Sequence, residues 1–154
     1  LRSEALSNID VSQIENSQNL TWPQINEMAA RGFEFGSHTR NHLILPCEPE
    51  ADIKSELRLS SVDIKNQLGV EPMAFAYPDG QYDPNVAQMV DDAGYKIAFT
   101  CDEGLVSQNN LRFILPRLSI HDGISTDCNG DFSRAMFLTY LAGTIPWRYR
   151  RRVG

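Results

Sequence analysis

The sequence predicts an α/β domain in which parallel strands are wrapped by helices. Apolar stripes at helical spacing alternate along the chain with short apolar runs of strand length. The links between them are short and punctuated by Gly, Pro and Asp, as in a helix-strand alternation rather than a bundle. The chemistry-bearing residues fall at or just beyond the C-terminal ends of the predicted strands, the face on which α/β sheets and barrels build sites. A chain of 154 residues, 42% hydrophobic and 22% charged, is long enough for one such domain with a core of ordinary size.

Residues 1–19 are polar and weakly periodic, reading as a helix end and a loop. Thr21-Trp22-Pro23-Gln24 predicts a helix start: Thr21 is the N-cap, Gln24 completes a capping box, and Pro23 sits in the first turn where no intrahelical donor is needed. Ile25, Met28 and Ala29 supply its apolar stripe, and Gly32 its left-handed end. Phe33 to Ser37 predicts a buried strand. After the loop Pro46–Pro49, a long helix runs from about Glu50 to Leu68, with Ile53, Leu57, Ile64 and Leu68 inward and Gly69 as terminator. Met73 to Tyr77 predicts the next strand, stopped by the turn Pro78-Asp79-Gly80. Asp83-Pro84 caps a third helix carrying Val86, Met89 and Val90, closed by Gly94. Tyr95 to Thr100 is a third strand, and Leu111 to Ile120 contains a fourth. Phe132 to Leu141 predicts an amphipathic helix before a basic tail.

Composition excludes several classes. No apolar run approaches the ~18 residues of a membrane-spanning helix. The net charge of −6 argues against general nucleic-acid binding. Cys47, Cys101 and Cys128 are odd in number, widely spaced and without a Cys-x-x-Cys pair, which disfavours a disulfide framework and a thiolate zinc site. Leu1-Arg2-Ser3-Glu4 is not a charged start followed by an apolar core, so no signal peptide is visible, and no initiator Met is present. Arg148, Arg150, Arg151 and Arg152 place four of the 14 basic residues in the last seven positions. With Trp147 and Tyr149 they form a tail able to approach an anionic surface, or simply a solvated terminus.

Two of the three histidines, His38 and His42, lie four apart directly after the first predicted strand. Imidazoles at this spacing can point the same way if the chain turns helically, which is metal-ligand spacing. Imidazole suits zinc, cobalt, nickel or iron, so spacing alone does not choose the metal. The alternative is one core and one surface histidine.

Three stretches together resemble one family. Gly32-Phe33-Glu34-Phe35-Gly36-Ser37-His38-Thr39-Arg40-Asn41-His42 resembles the metal-binding motif of the polysaccharide deacetylases, the NodB-homology or carbohydrate esterase 4 group. Phe75-Ala76-Tyr77-Pro78-Asp79-Gly80-Gln81-Tyr82-Asp83 resembles the motif forming one wall of their groove. Ala93 to Thr100, then Leu115-Pro116-Arg117-Leu118, resembles later strands of one subgroup. The resemblance implies a partial, distorted (β/α) barrel of the NodB-homology type lacking its first strands, with residues 20–122 as the C-terminal part of that domain and 123–154 as a helix and basic tail. It implies metal-dependent removal of N-acetyl groups from an amino sugar of a polysaccharide or oligosaccharide. The cofactor is a divalent metal, Zn2+ first, held by His38 and His42. The resemblance further implies Tyr77 and Pro78 as substrate-wall residues, one oxyanion donor coming from the Tyr77 position, against the alternative that Tyr77 simply packs. Thr39 or Asn41 can fix a histidine tautomer, although ordinary turn chemistry also explains both.

The sequence also departs from the family. The motif Thr-Phe-Asp-Asp-Gly, source of the third ligand and the general base, is absent; Asp91-Asp92-Ala93 lies near a helix end. Two imidazoles are short of the three protein ligands of a catalytic zinc site. Ala76 stands where many members carry an arginine, making Arg117 the candidate substitute, against the alternative of a surface ion pair. His121 is the one histidine left for the general acid, against an ordinary turn histidine. Whether the chain is an enzyme thus stays open between a deacetylase carrying part of its site, an inactive glycan-binding module of the same fold, and another amide hydrolysis on that fold.

Overall fold

In the computed structural model, residues 19–107 and 111–143 are described. The chain divides into two compact units, Leu1–Glu34 and Phe35–Gly154. Residues 1–18 of the predicted stretch 1–19, and the basic tail within 144–154, lie outside the described residues.

The first unit holds helix α1, Trp22–Ala30. Its start follows the predicted capping chemistry, with Thr21 N–H donating to Gln24 Oε1 at 2.8 Å. Gly32 stands at φ +91°, where a left-handed end requires it, and its N–H donates to Ala29 O at 2.9 Å.

The second unit contains α2 (Glu50–Leu68), β1 (Ala74–Ala76), α3 (Pro84–Asp92), β2 (Ile97–Glu103), β3 (Leu115–Arg117), the short α4 (Asp122–Ser125) and α5 (Arg134–Leu141). Single 3₁₀ turns, Leu45–Cys47 and Pro78–Gly80, precede α2 and follow β1. The three strands form a parallel sheet in the order β1-β2-β3. Sequential parallel order is that of a β/α barrel wall, and also of one half of a doubly wound sheet.

The predicted strand Phe33–Ser37 contracts to one residue, Ser37, which bridges Phe75 in parallel. Ser37 N–H donates to Ala74 O and Ser37 O accepts Ala76 N–H, at 2.9 Å each, while Ala76 O on the same side is met by the His38 ring. Among the described residues no backbone bond joins Phe33–Gly36 to β1, and Phe33 is exposed. Gly36 is needed for this approach: a Cβ there would stand 2.9 Å from Ala74 O.

The long helix is as the sequence predicts, ending at Gly69 with φ +74°. Its buried face is not the purely apolar one expected. Ile53, Glu56, Leu57 and Ser60 are buried, whereas Ile64 and Leu68 are only half-buried. Ile53 and Leu57 join Leu45, Phe75, Tyr77, Val86, Val90, Tyr95 and Ala98 in one core. Phe75 sits at its centre, with ring centroids 5.3 Å from Tyr77 and 5.2 Å from Tyr95. Asp83 caps α3 as predicted, accepting Val86 N–H at 2.8 Å. At the far end, Tyr140 of α5 is buried and its hydroxyl donates to Ser119 O at 2.8 Å.

Candidate functional site

Ser37 delivers the chain to the histidine loop at the end of β1. Its Oγ lies 2.8 Å from Ser60 Oγ of α2, so the loop is tied to the helix before the first histidine begins. The backbone then turns tightly. Thr39 and His42 both have left-handed φ, 63° and 57°. For non-glycine residues this costs on the order of 1–2 kcal/mol each, and more for a β-branched threonine.

The turn brings the two predicted ligands together. The His38 and His42 rings are 4.8 Å apart between centroids at an interplanar angle of 79°, and both residues are exposed. Nδ1 of His38 is 2.8 Å from Ala76 O. A carbonyl only accepts, so Nδ1 carries the proton and Nε2 keeps its lone pair free. This is how a metal-ligating histidine is usually oriented. The expectation that Thr39 or Asn41 fixes the tautomer is corrected: a backbone carbonyl of β1 does so for His38. The Thr39 hydroxyl is buried with no hydrogen-bond partner among the described residues.

Asn41 is engaged elsewhere. Glu56 of α2 is 5% exposed, and its Oε2 accepts the N–H of Arg40 and of Asn41, both at 2.8 Å, while Oε1 accepts Asn41 Nδ2–H at 2.5 Å. Burial opposes ionisation of this carboxyl, but the Asn41 and Arg40 donors and the Arg40 charge outweigh it and hold Glu56 below the usual carboxylate range. Arg40 also pairs with Asp63 at 3.0 Å. The sequence reading missed Glu56. The signal was present: a carboxylate beside Leu57 and one turn from Ile53 sits within the apolar stripe and must find donors there.

Tyr77 and Pro78 are both buried. The Tyr77 hydroxyl donates to Phe113 O at 2.9 Å, its ring stacks on Tyr82, and burial pushes its pKa upward. The Tyr77 N–H is bonded to Phe99 O at 3.1 Å. The expectation of Tyr77 as a substrate-wall side chain and oxyanion donor is therefore corrected: its side chain is core and its N–H belongs to the sheet. Pro78 has no N–H to offer. The backbone donor that this turn leaves without an acceptor among the described residues is that of Asp79, held left-handed at φ 51°.

Arg117 is exposed; its Nε donates to Thr100 O at 2.8 Å and Nη2 contacts Cys101 Sγ at 3.3 Å. Neither a carboxylate to orient nor an ion pair is found for it among the described residues. His121 is exposed immediately before α4, with its carbonyl accepting from Ile124 N–H and Ser125 Oγ. No hydrogen bond or ring contact joins it to His38 or His42. Asp91 and Asp92 end α3, and Asp91 pairs with Arg112.

The donor chemistry fits a metal in part. Two imidazoles, at least one with its tautomer set, suit a divalent ion, but the described residues hold no group of three or more His, Cys, Asp or Glu able to bind one.

The polysaccharide deacetylase family model matches residues 8–98. A predicted polysaccharide deacetylase of Bacillus subtilis, YxkH, is 27% identical over 123 residues, covering 80% of this chain and 44% of its own length. Among solved structures, the Streptococcus pyogenes deacetylase PplD in complex with acetate is 30% identical with a TM-score of 0.68, covering 74% of this chain and 50% of that one. A polysaccharide deacetylase from Bacillus cereus is 25% identical with a TM-score of 0.61, covering 68% and 33%. The chain thus spans half or less of the length of these relatives.

Proposed function

Because the chain belongs to the polysaccharide deacetylase family, we propose that it serves metal-dependent removal of N-acetyl groups from a glycan amino sugar and carries part of that site. The observation that carries the reading is the His38–His42 pair, with His38 Nδ1 locked on Ala76 O and Nε2 left free. His38 and His42 are two ligands of a divalent metal, Zn2+ being the first candidate among the metals that imidazole suits. Such a metal, when bound, supplies Lewis acidity towards the amide oxygen and acidifies a bound water. A third ligand and the general base come from outside the described residues. The Asp79 N–H is the chain's own donor towards an oxyanion formed at the acetamide carbon. His121 and Arg117 remain candidates for the general acid and for an orienting cation.

The lack of a three-ligand cluster among the described residues favours a second reading, a module that keeps the groove and binds glycan without turnover. The two are separated by acetate release from N-acetylglucosamine oligomers, with and without chelator, read beside the coding sequence upstream of Leu1. The part-site reading expects little chelator-sensitive release from the 154 residues alone, and release once an upstream Asp-Asp strand is supplied. Glycan binding without release, in a gene that encodes no such strand, overturns the enzyme reading. Chelator-sensitive release that survives His38→Ala removes the histidine pair from the site.

A further inference from the structure

We propose that Glu56 is a positioning residue that clamps the histidine loop in the shape that presents His38 and His42 together, an inference that rests on their reading as metal ligands. Between the two histidines lie only Thr39, Arg40 and Asn41, and Glu56 takes three hydrogens from the last two. The loop does not hold this shape through its own preferences. Thr39 and His42 are left-handed without being glycine or asparagine, and the Thr39 hydroxyl is buried unpaired. A conformation so disfavoured locally persists only where its surroundings over-determine it. The surroundings here are one face of α2: Glu56, Ser60 and Asp63 meet Asn41 and Arg40, Ser37, and Arg40 respectively. Glu56 is the central and most buried contact to the residues between the ligands, and its hydrogen bonds go to Arg40 and Asn41 rather than to either imidazole. Its effect on a metal passes through backbone geometry.

The test is cobalt titration of the 154-residue chain, followed by paramagnetic broadening of the His38 and His42 imidazole C–H signals. In the wild type both rings broaden over one concentration range. Glu56→Gln keeps the side-chain volume and loses the charge and one acceptor oxygen. It is expected to require about tenfold more cobalt, as loss of an outer-shell partner typically does, with a cooperative melt retained. Glu50→Gln, on the exposed end of the same helix, leaves the titration unchanged. Where Glu56→Gln does not fold, Asn41→Ala removes one of the three contacts and is expected to weaken cobalt binding several-fold. Superimposable titrations of the folded variant and the wild type overturn the clamp. If His38→Ala leaves broadening at His42 unchanged, the metal reading itself fails and the clamp falls with it, a distinct outcome because Glu56 is intact.

Discussion

The carbonyl oxygen of Ala76 lies 2.8 Å from Nδ1 of His38, so the strand backbone, not a side chain, sets the histidine's tautomer. The metal-free protein is expected to hold His38 as the Nδ1–H form. Long-range proton–nitrogen correlation spectra of the imidazoles check this. A dominant Nε2–H form for His38 contradicts the geometry.

Glu56 makes stability depend on acid. Its folded pKa lies below the unfolded value, so its contribution is complete above the unfolded pKa of about 4.3 and is lost as pH falls through the folded pKa. Urea midpoints measured from pH 7 downward should fall in that acid range in the wild type and less steeply in Glu56→Gln. Glu56→Ala, which strands the Arg40 and Asn41 donors, is expected to cost about 1–3 kcal/mol at neutral pH.

Gly80 cannot be replaced cheaply. It sits at φ +68°, and a Cβ there would stand 2.6 Å from both N and Cβ of Cys101. Gly80→Ala combines left-handed strain with overpacking against backbone and is expected to destabilise by about 2 kcal/mol or more in urea denaturation. Ala at Gly69, which is left-handed but has open space around it, should show the strain alone.

Tyr77→Phe removes the bond to Phe113 O and leaves that carbonyl unpaired inside the fold. A loss of about 1 kcal/mol in urea is expected, with cobalt broadening at His38 and His42 unchanged. A change in the metal titration without a change in stability would return Tyr77 to the site.

Much of the fold was legible because local chemistry and burial agree. The α2 span follows from its apolar stripe and Gly69, and the α3 start from Asp83-Pro84. The closeness of His38 and His42 was legible because residue type and spacing are local properties. What was not legible depends on partners distant in sequence. The strand at Phe33–Ser37 is cut to a single bridge with Phe75, and the hydrogen bonds of Glu56 to the loop come from a residue 14 positions after His42. The Tyr77 assignment failed for the same reason: a Tyr before Pro looks like a groove residue until Phe113 and Phe99 supply carbonyls for its hydroxyl and its N–H.

The spacing of Glu56, Ser60 and Asp63 along α2 has a consequence for which length changes the chain tolerates. Each added or deleted residue in a helix turns everything beyond it by about 100°. An insertion between Ile53 and Asp63 would put the core anchors and loop contacts before it out of register with those after it. The same insertion after Gly69, at the exposed Val70 and Glu71, shifts neither. Length variation in this part of the chain should therefore collect after Gly69, while the Ile53–Asp63 segment keeps its length.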